Sequence, residues 1–399
     1  MVPTVHLRAG NVQPIWAGHP WVYAQAIDRL EGRAEPGDEV RVCDPRGNLL
    51  GRGFWSPGSA IPVRIFSRDA ARPLDDDFIA ARVRDAVAWR ASLLGLPSGE
   101  TTGFRLVNSE GDGLPGLIAD RFGDDLVVQL LTAGVKRREG VILDALLEAT
   151  GAKRAWETSS PQHQKLEGIA SRDGILRGDP VDAMRFLENG VALSVPPPGA
   201  SDTQKTGYYF DQRDNRARVA RLARGRRVLD GFAFVGGFAH AAARAGAKEV
   251  LAVESGLAAI QSGEAITAEN GLGDVVRWRR GDVKKVFGDL HAQGERFDLV
   301  IIDPPKLAHH ARELRDALAH YRRLNGLAAA LVAPGGVLVS CSCSGAVSID
   351  DLLRAIAMGV RDANRELSVL DVQGAGGDHP VPVAFPDGRY LKCVTGRVA

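Results

Sequence analysis

The chain has 399 residues, which suits two or three domains of about 150 residues each. Its 25% charged and 45% hydrophobic residues exclude a disordered, collagenous or fibrous protein. With 50 Lys and Arg against 49 Asp and Glu, the net charge of +1 excludes a polycation that adheres to nucleic acid in bulk, so any phosphate-binding surface must be local.

The four cysteines are too few for a disulfide-stabilised secreted protein, and no two pairs have the spacing of a zinc site. We therefore expect reduced thiols and no metal centre. The N-terminal residues lack a signal-peptide pattern, and no run of about 18 apolar residues predicts a membrane span. These observations predict a cytoplasmic protein without a membrane partner.

Composition and periodicity divide the chain into three regions. Residues 1–74 hold short apolar runs such as EVRVCD and LLGRGFW between turns, which predicts a small β-rich domain. Residues 75–195 begin with a helical pattern, FIAARVRDAVAWRASLLG, and continue with strand-like GLIADRFG and LVVQLL, which predicts a mixed α/β domain. In residues 196–399 short apolar runs alternate with helical stretches, which predicts a Rossmann-like domain with a doubly wound, mostly parallel sheet.

A glycine loop follows the first strand of this third region. The strand ends at Asp230, and Gly236 and Gly237 precede a helical stretch, so the backbone there can approach a ligand closely. Glu254 ends the next strand about twenty residues on, where an acid in such folds binds ribose hydroxyls. Asp282 follows the third strand and is a candidate for contact with an adenine amino group. A plain turn is the alternative for the glycines, and a solvated loop acid is the alternative for Glu254. A dinucleotide-binding enzyme also stays open on these grounds, although the G-x-G-x-x-G fingerprint is absent.

Two further strands carry candidate chemistry at their carboxyl ends. The apolar strand FDLVIID delivers Asp303, and two prolines fix the turn that follows it. In the strand after that, alternation puts Cys341 and Cys343 on one face, with Cys343 nearest the expected ligand crevice. We interpret Cys341 as a packing thiol, whereas for Cys343 a nucleophile and a packing thiol are both open.

The segments KTGYYFDQRDNR, VLDGFAFVGGF, AENGL, IIDPPK, SCSCSG, DHPV and FPDGRYLK occur in this order. With them the sequence resembles the bacterial large-subunit rRNA methyltransferase I family. That family consists of class I S-adenosylmethionine-dependent enzymes that form 5-methylcytosine in 23S rRNA. The resemblance covers nearly the whole chain, because GHPWVY resembles the family's N-terminal PUA domain and FRLVNSEGDGLPGLIADRFG its central domain.

The resemblance implies S-adenosyl-L-methionine as cofactor and assigns the site residues by position. Cys343 attacks C6 of cytosine, Asp303 stabilises the adduct, and the substrate-base loop consists of Asp303 with Pro304, Pro305 and Lys306. Asp378 and His379 are candidates for the base that removes the C5 proton. The residues implied for cofactor binding are Lys205, Thr206, Tyr209, Asp211, Gln212, Arg213, Asp230, Phe232, Gly236, Gly237, Glu254, Asp282 and Asp303.

RNA is the partner that the resemblance implies, contacted by the PUA-like N-terminus, and a homodimer is allowed. A run of arginines from residue 213 to 227 would add a local positive surface. The helical spacing spreads those charges around the helix, so a solvated helix face is the alternative. The basic positions are Arg213, Arg216, Arg218, Arg221, Arg224, Arg226 and Arg227.

The sequence departs from the family pattern at three places. Residues 233–235 are Ala-Phe-Val where the family has Ser-Tyr-Thr, and Ile266 and Leu307 replace an Asn and an aromatic residue. The lost hydroxyls keep open an RNA-binding or ribosome-assembly factor with a degenerate methyltransferase domain. An RNA methyltransferase with another target base is a second alternative, although Lys306 and the cysteine at the next strand end oppose an amino-group methyltransferase. A small-molecule methyltransferase would not need the PUA-like region.

Overall fold

The structure is a computed structural model that describes residues 2–158, 166–170, 172–199 and 206–399. The chain forms two compact units. The first consists of residues 1–187, 195–210 and 377–388, and the second of residues 188–194, 211–376 and 389–399. This division does not decide the three domains predicted at 1–74, 75–195 and 196–399, which stay a prediction. Within the described residues, no helix has the length and apolar character needed to cross a bilayer.

The N-terminal part of the first unit is a six-stranded sheet, as the short apolar runs predict. Its strand order is β2-β6-β5-β4-β1-β3, and only β1 and β4 run parallel. Its elements are β1 (Thr4–Leu7), α1 (Val12–Trp16), β2 (Trp21–Val22), β3 (Ile27–Glu31), β4 (Glu39–Cys43), β5 (Leu49–Trp55) and β6 (Val63–Ser67).

The rest of the first unit packs helices on a five-stranded sheet. Helix α2 (Asp76–Leu94) begins where the Asp75 side chain accepts the Phe78 N–H and ends at Gly95 in the left-handed conformation. The sheet order is β11-β10-β9-β8-β7. The further elements are β7 (Gly103–Asn108), β8 (Leu117–Phe122), β9 (Asp125–Leu130), α3 (Ala133–Lys136), α4 (Glu139–Thr150), β10 (Arg154–Glu157), β11 (Gly174–Arg177) and β12 (Met184–Glu188). Strand β13 (Val191–Val195) belongs mostly to the second unit.

The second unit is built on a seven-stranded sheet. Its helices are α5 (Arg213–Arg221), α6 (Gly237–Arg244), α7 (Leu257–Glu269), α8 (Val283–Ala292), α9 (Leu314–Leu331) and α10 (Ile349–Asp362). Its strands are β14 (Arg227–Gly231), β15 (Glu249–Glu254), β16 (Val276–Arg280), β17 (Phe297–Ile302), β18 (Val332–Ser342), β19 (Leu367–Gln373) and β20 (Lys392–Val398).

This sheet has the order β16-β15-β14-β17-β18-β20-β19. The first five strands are parallel, and β20 runs antiparallel to both of its neighbours. Apolar side chains cover both faces, since Leu338 of β18 packs in one buried cluster and Val337 and Val339 in another. The predicted doubly wound, mostly parallel sheet is confirmed.

The order of strands also predicts where a ligand binds. From β14 the chain proceeds outward through β15 and β16 on one side, and then returns to β17 and β18 on the other. The loops after β14 and β17 therefore diverge, and open sheets of this kind bind ligands in the crevice beyond the carboxyl ends at that point.

Candidate active site

The loop after β14 has a strained backbone. Phe232, Phe234 and Gly236 have φ angles of 66°, 52° and 88°, and positive values are uncommon for residues other than glycine. At Gly236 a Cβ would lie 2.6 Å from the His240 ring, so glycine is required for space as well as for conformation. The loop leads directly into α6, whose first residue is Gly237. Its backbone therefore presents N–H groups beside the end of β14.

Asp230 is a fully buried carboxylate at the end of β14. No described side chain donates a hydrogen bond to either of its oxygens, and the backbone amide that faces it is that of Ala239, too far or too poorly aligned for a regular hydrogen bond. Burial, and then the charge of Asp303, raise its pKa to about 8, against the opposing influence of the Ala239 amide and the Arg216 guanidinium. A buried acid without partners is costly, so this position suits a ligand that brings a positive charge to it.

Glu254, predicted to bind a ribose, holds its own loop and the glycine loop in place. One carboxylate oxygen accepts the N–H groups of Ser255 and Gly256 at 2.7 and 2.9 Å, and the other accepts the Phe234 N–H at 2.9 Å. A carboxylate has about four acceptor sites, so the oxygen that faces Phe234 retains capacity for a hydroxyl. The residue therefore joins the ends of β14 and β15.

Asp282, predicted to bind adenine, is exposed and is the N-cap of α8. Its side chain accepts the Lys285 N–H at 3.1 Å. This contact uses one carboxylate oxygen and accounts for an aspartate at the position without any ligand. The predicted contact with adenine stays a prediction.

The loop after β17 is attached to both neighbouring strands. The Asp303 N–H donates to the Gly231 carbonyl at 3.3 Å, which keeps the loop beside the end of β14. Farther along, the N–H groups of Leu307 and Ala308 donate to the Ser344 hydroxyl at 3.1 and 3.2 Å. Between these anchors Asp303 is half-buried, and the rest of the predicted substrate-base loop comprises buried Pro304 and exposed Pro305 and Lys306.

Cys343 lies one residue beyond the end of β18 and is half-buried. Ser340 pairs with Ile302 of β17, so Cys341 is level with Asp303 and Cys343 lies about 7 Å farther along. Cys341 is buried opposite Cys393 of β20. Its hydrogen bond with Cys393, and then burial, raise the pKa of the Cys341 thiol well above the ordinary value. A packing role for Cys341 is thus supported by its contacts.

The end of β18 is surrounded by three residues that are not among the predicted site residues: Tyr321, Ser344 and Lys392. Buried Tyr321 of α9 donates to Ser342 at 2.8 Å and lies 3.4 Å from the Ser344 hydroxyl. Burial raises the pKa of Tyr321, and the charges of Cys343 and Asp303 add to that. Lys392 of β20 donates to the Ser344 carbonyl at 2.8 Å. The one available signal was the place of Lys392 in the FPDGRYLK segment.

Residues 205–213 include six of the residues that the resemblance implies for cofactor binding. Lys205 lies outside the described residues. Thr206, in the first unit, is buried and donates to Asp120 at 2.6 Å, and Tyr209 is half-buried. In the second unit Asp211, Gln212 and Arg213 are buried, and their side chains contact Tyr390, Asn215 and Asp214 respectively.

The arginines of residues 213–227 do not form one positive surface. Arg216 is buried and paired with Glu188 at 2.8 Å, and Arg227 is paired with Glu249 and Glu295. Exposed positions remain at Arg218, Arg221 and Arg224. The charges are therefore distributed around α5 and the following turn, as the alternative interpretation expects.

The candidate proton acceptors Asp378 and His379 are buried within the first unit. The Asp378 carboxylate accepts the Arg105 N–H at 2.8 Å and lies 3.0 Å from the His379 ring, and its carbonyl accepts from Arg90. These contacts account for Asp378, whereas the buried Nε2 atom of His379 has no hydrogen-bond partner among the described residues. No group of His, Cys, Asp and Glu in the described part of the chain has the arrangement of a metal site.

Comparisons with known proteins bear on the whole chain. Residues 5–68 match a family described as a PUA-like domain, and residues 105–369 match a family of S-adenosylmethionine-dependent methyltransferases. Proteins named ribosomal RNA large subunit methyltransferase I from Erwinia tasmaniensis and Shewanella denitrificans are each 37% identical to it, over 98% and 100% of both chains. The crystal structure of SMU.776 with SAH superimposes with a TM-score of 0.84, at 20% identity and 100% coverage of both chains.

Proposed function

Since the chain belongs to the ribosomal RNA large subunit methyltransferase I family of S-adenosylmethionine-dependent methyltransferases, we propose that it methylates C5 of a cytosine in large-subunit rRNA. The relatives carry the substrate in their name and match this chain over its whole length. The PUA-like residues 5–68 supply a module for contacts with RNA. RNA is thus the macromolecular partner of the proposal, and the homodimer allowed by the resemblance stays a prediction.

The residues around β14 and β15 fit the cofactor. S-Adenosylmethionine supplies an electrophilic methyl group on a sulfonium, and its amino-acid part carries an ammonium group. Asp230 is a buried carboxylate that receives no hydrogen bond from a described side chain, and it therefore suits that ammonium. Glu254 retains acceptor capacity for a ribose hydroxyl, and Asp282 is the residue proposed for the adenine amino group.

The observation that carries the cytosine assignment is the placement of Cys343 and Asp303 after neighbouring parallel strands. Cytosine C5 is a weak nucleophile until another group adds to C6. The Cys343 thiolate forms a bond to C6 and the electrons of the C5–C6 double bond move to C5, which then accepts the methyl group. Asp303 shares a proton with N3 once the base is bound and so stabilises the adduct. A base then accepts the C5 proton, the C5–C6 double bond is restored, and the Cys343 thiolate leaves from C6.

A factor with a degenerate methyltransferase domain is the second candidate. Its support is the Ala-Phe-Val sequence of residues 233–235, which lacks the family's hydroxyls. The loop nevertheless forms its hydrogen bonds through the backbone, since the Ala233 N–H donates to the Val253 carbonyl and the Phe234 N–H to Glu254. Side-chain hydroxyls are not needed for this loop geometry, which favours the enzyme.

The proposal is tested by transfer of a labelled methyl group from S-adenosylmethionine to unmodified large-subunit rRNA. The native chain, Cys343→Ala and the matched control Cys341→Ala are compared, and the digested nucleosides are analysed by mass spectrometry. We expect 5-methylcytosine from the native chain and from Cys341→Ala, and none from Cys343→Ala. A different methylated nucleoside would refute the cytosine assignment. Absence of both cofactor binding and methyl transfer would favour the degenerate factor.

A further inference from the structure

Lys392 is a buried lysine at the start of β20, directly opposite Ser342 of β18. Its ammonium donates to the carbonyl oxygens of Ser344 and Tyr390 at 2.8 and 3.1 Å. An ammonium group has three N–H donors, and no described residue accepts the third. No carboxylate in the described part of the chain forms an ion pair with Lys392.

A buried charge without a counter-ion is unfavourable, so the position of Lys392 requires an explanation. The anionic group that interacts electrostatically with Lys392 is the Cys343 thiolate. Burial lowers the pKa of Lys392, whereas attraction to the Cys343 thiolate raises it. Because such an interaction is mutual, the ammonium favours the ionised form of the thiol.

Two other described titratable groups lie near Cys343, namely Tyr321 and Asp303, and neither of them assists its ionisation. The Tyr321 hydroxyl is neutral below its raised pKa, and both Cys343 and Asp303 oppose its ionisation. The Asp303 carboxylate follows the adjacent strand β17 and adds negative charge to the same end of the sheet. A cation from β20 offsets this charge, and Lys392 is placed to be that cation.

We propose that Lys392 is a positioning residue that stabilises the Cys343 thiolate and so prepares it for addition to the base. The inference rests on the proposed role of Cys343 as nucleophile. In the free enzyme the thiol releases its proton to solvent, and the ammonium stays hydrogen-bonded to the two carbonyl groups. The antiparallel insertion of β20 beside β18 brings this cation to the nucleophile.

The test is the rate at which iodoacetamide alkylates Cys343 as a function of pH, measured on the full chain without RNA or cofactor. Only a thiolate displaces iodide, so the profile reports ionisation directly. Peptide mass spectrometry separates Cys343 from the buried Cys341 and Cys393. We expect Lys392→Gln, which retains hydrogen bonding without charge, to shift the profile upward by about one pH unit and to slow alkylation at pH 7 about tenfold. Lys392→Arg should restore the native profile, and exposed Lys285→Gln is the matched control.

Three outcomes decide the inference. An unchanged alkylation profile in folded Lys392→Gln, with Cys341 still protected, overturns it. If iodoacetamide also alkylates Cys341 in Lys392→Gln, that variant has lost its fold. Lys392→Met is then measured in the same assay, and we expect the same upward shift of its alkylation profile. Methyl transfer that survives in Cys343→Ala refutes the proposed nucleophile instead, whereas the alkylation profile still measures the effect of Lys392 on the thiol.

Discussion

Asp230→Asn replaces a buried carboxylate whose pKa the fold raises to about 8. If this carboxylate binds the ammonium of S-adenosylmethionine, it must lose its proton when the cofactor binds. At pH 7 the carboxyl group is therefore mostly protonated in the free protein, and its ionised fraction falls about tenfold for each pH unit below that. The amino group of the cofactor stays mostly charged below its own pKa of about 7.7 to 8.0. Between pH 5.5 and pH 7 we therefore expect the ionisation of Asp230 to determine how cofactor affinity changes with pH.

The expected result is an apparent association constant that rises about 30-fold from pH 5.5 to pH 7, with release of about one proton. Isothermal titration calorimetry in buffers of different ionisation enthalpy measures both quantities. Asp230→Asn should bind the cofactor more weakly at pH 7 and lose most of the pH dependence. Asp289→Asn, an exposed acid of α8 paired with Arg279, is the matched control and should behave as the native chain. A constant affinity over this window would refute the assignment of the ammonium to Asp230.

The same carboxylate affects stability without cofactor. Its folded pKa lies above the unfolded value of about 3.9, so the native state retains a proton that the unfolded state releases. The free energy of unfolding should therefore fall as the pH rises from about 4 to about 8. Asp230→Asn lacks this loss and should be the more stable protein at pH 7.5, by up to a few kcal/mol in urea denaturation.

Three further substitutions test contacts that maintain the fold and the site. Ser344→Ala leaves two N–H groups of the loop after Asp303 without their acceptor and should lower the free energy of unfolding by about 1–3 kcal/mol in urea denaturation. The matched control is Ser340→Ala, because the buried Ser340 hydroxyl has no partner among the described residues, and it should change this free energy by no more than about 0.5 kcal/mol. Arg90→Ala removes the ion-pair partner of the buried Asp112 carboxylate and should lower the free energy of unfolding by about 3–5 kcal/mol. Arg84→Ala, which breaks an exposed ion pair with Glu148, should lower it by at most about 1 kcal/mol. Gly263→Ala places a Cβ 2.2 Å from a tryptophan ring and should lower the melting temperature by several degrees. Comparable costs within the serine or arginine pairs, or an unchanged melting temperature for Gly263→Ala, would contradict these contacts.

Local patterns predicted the strands of the second unit well. The apolar run FDLVIID became β17, and alternation correctly separated the two faces of β18, because both patterns depend only on the burial of nearby side chains. The acids at the strand ends were found for the same reason, since parallel strands end at one edge of the sheet. Their hydrogen bonds were not predicted: Asp282 caps a helix, and Glu254 binds backbone N–H groups.

Contacts between distant segments could not be read from the sequence. Periodicity does not reveal that β20 enters between β18 and β19, and this order alone brings Lys392 beside the residue that follows Cys343. The left-handed conformations of Phe232 and Phe234 were also unexpected, because residues other than glycine seldom adopt them. The pairing of Arg216 with Glu188 likewise depends on the folded chain.

The most direct test of the central claim is covalent capture of Cys343 on RNA that contains 5-fluorocytidine. Fluorine at C5 cannot leave as the proton does, so the enzyme should remain bonded to C6 after methyl transfer. We predict an adduct stable on a denaturing gel, formed with S-adenosylmethionine by the native chain and by Cys341→Ala, with peptide mass spectrometry locating it at Cys343. The account would be contradicted if no adduct forms and Cys343→Ala transfers methyl groups to ordinary rRNA at the same rate as the native chain.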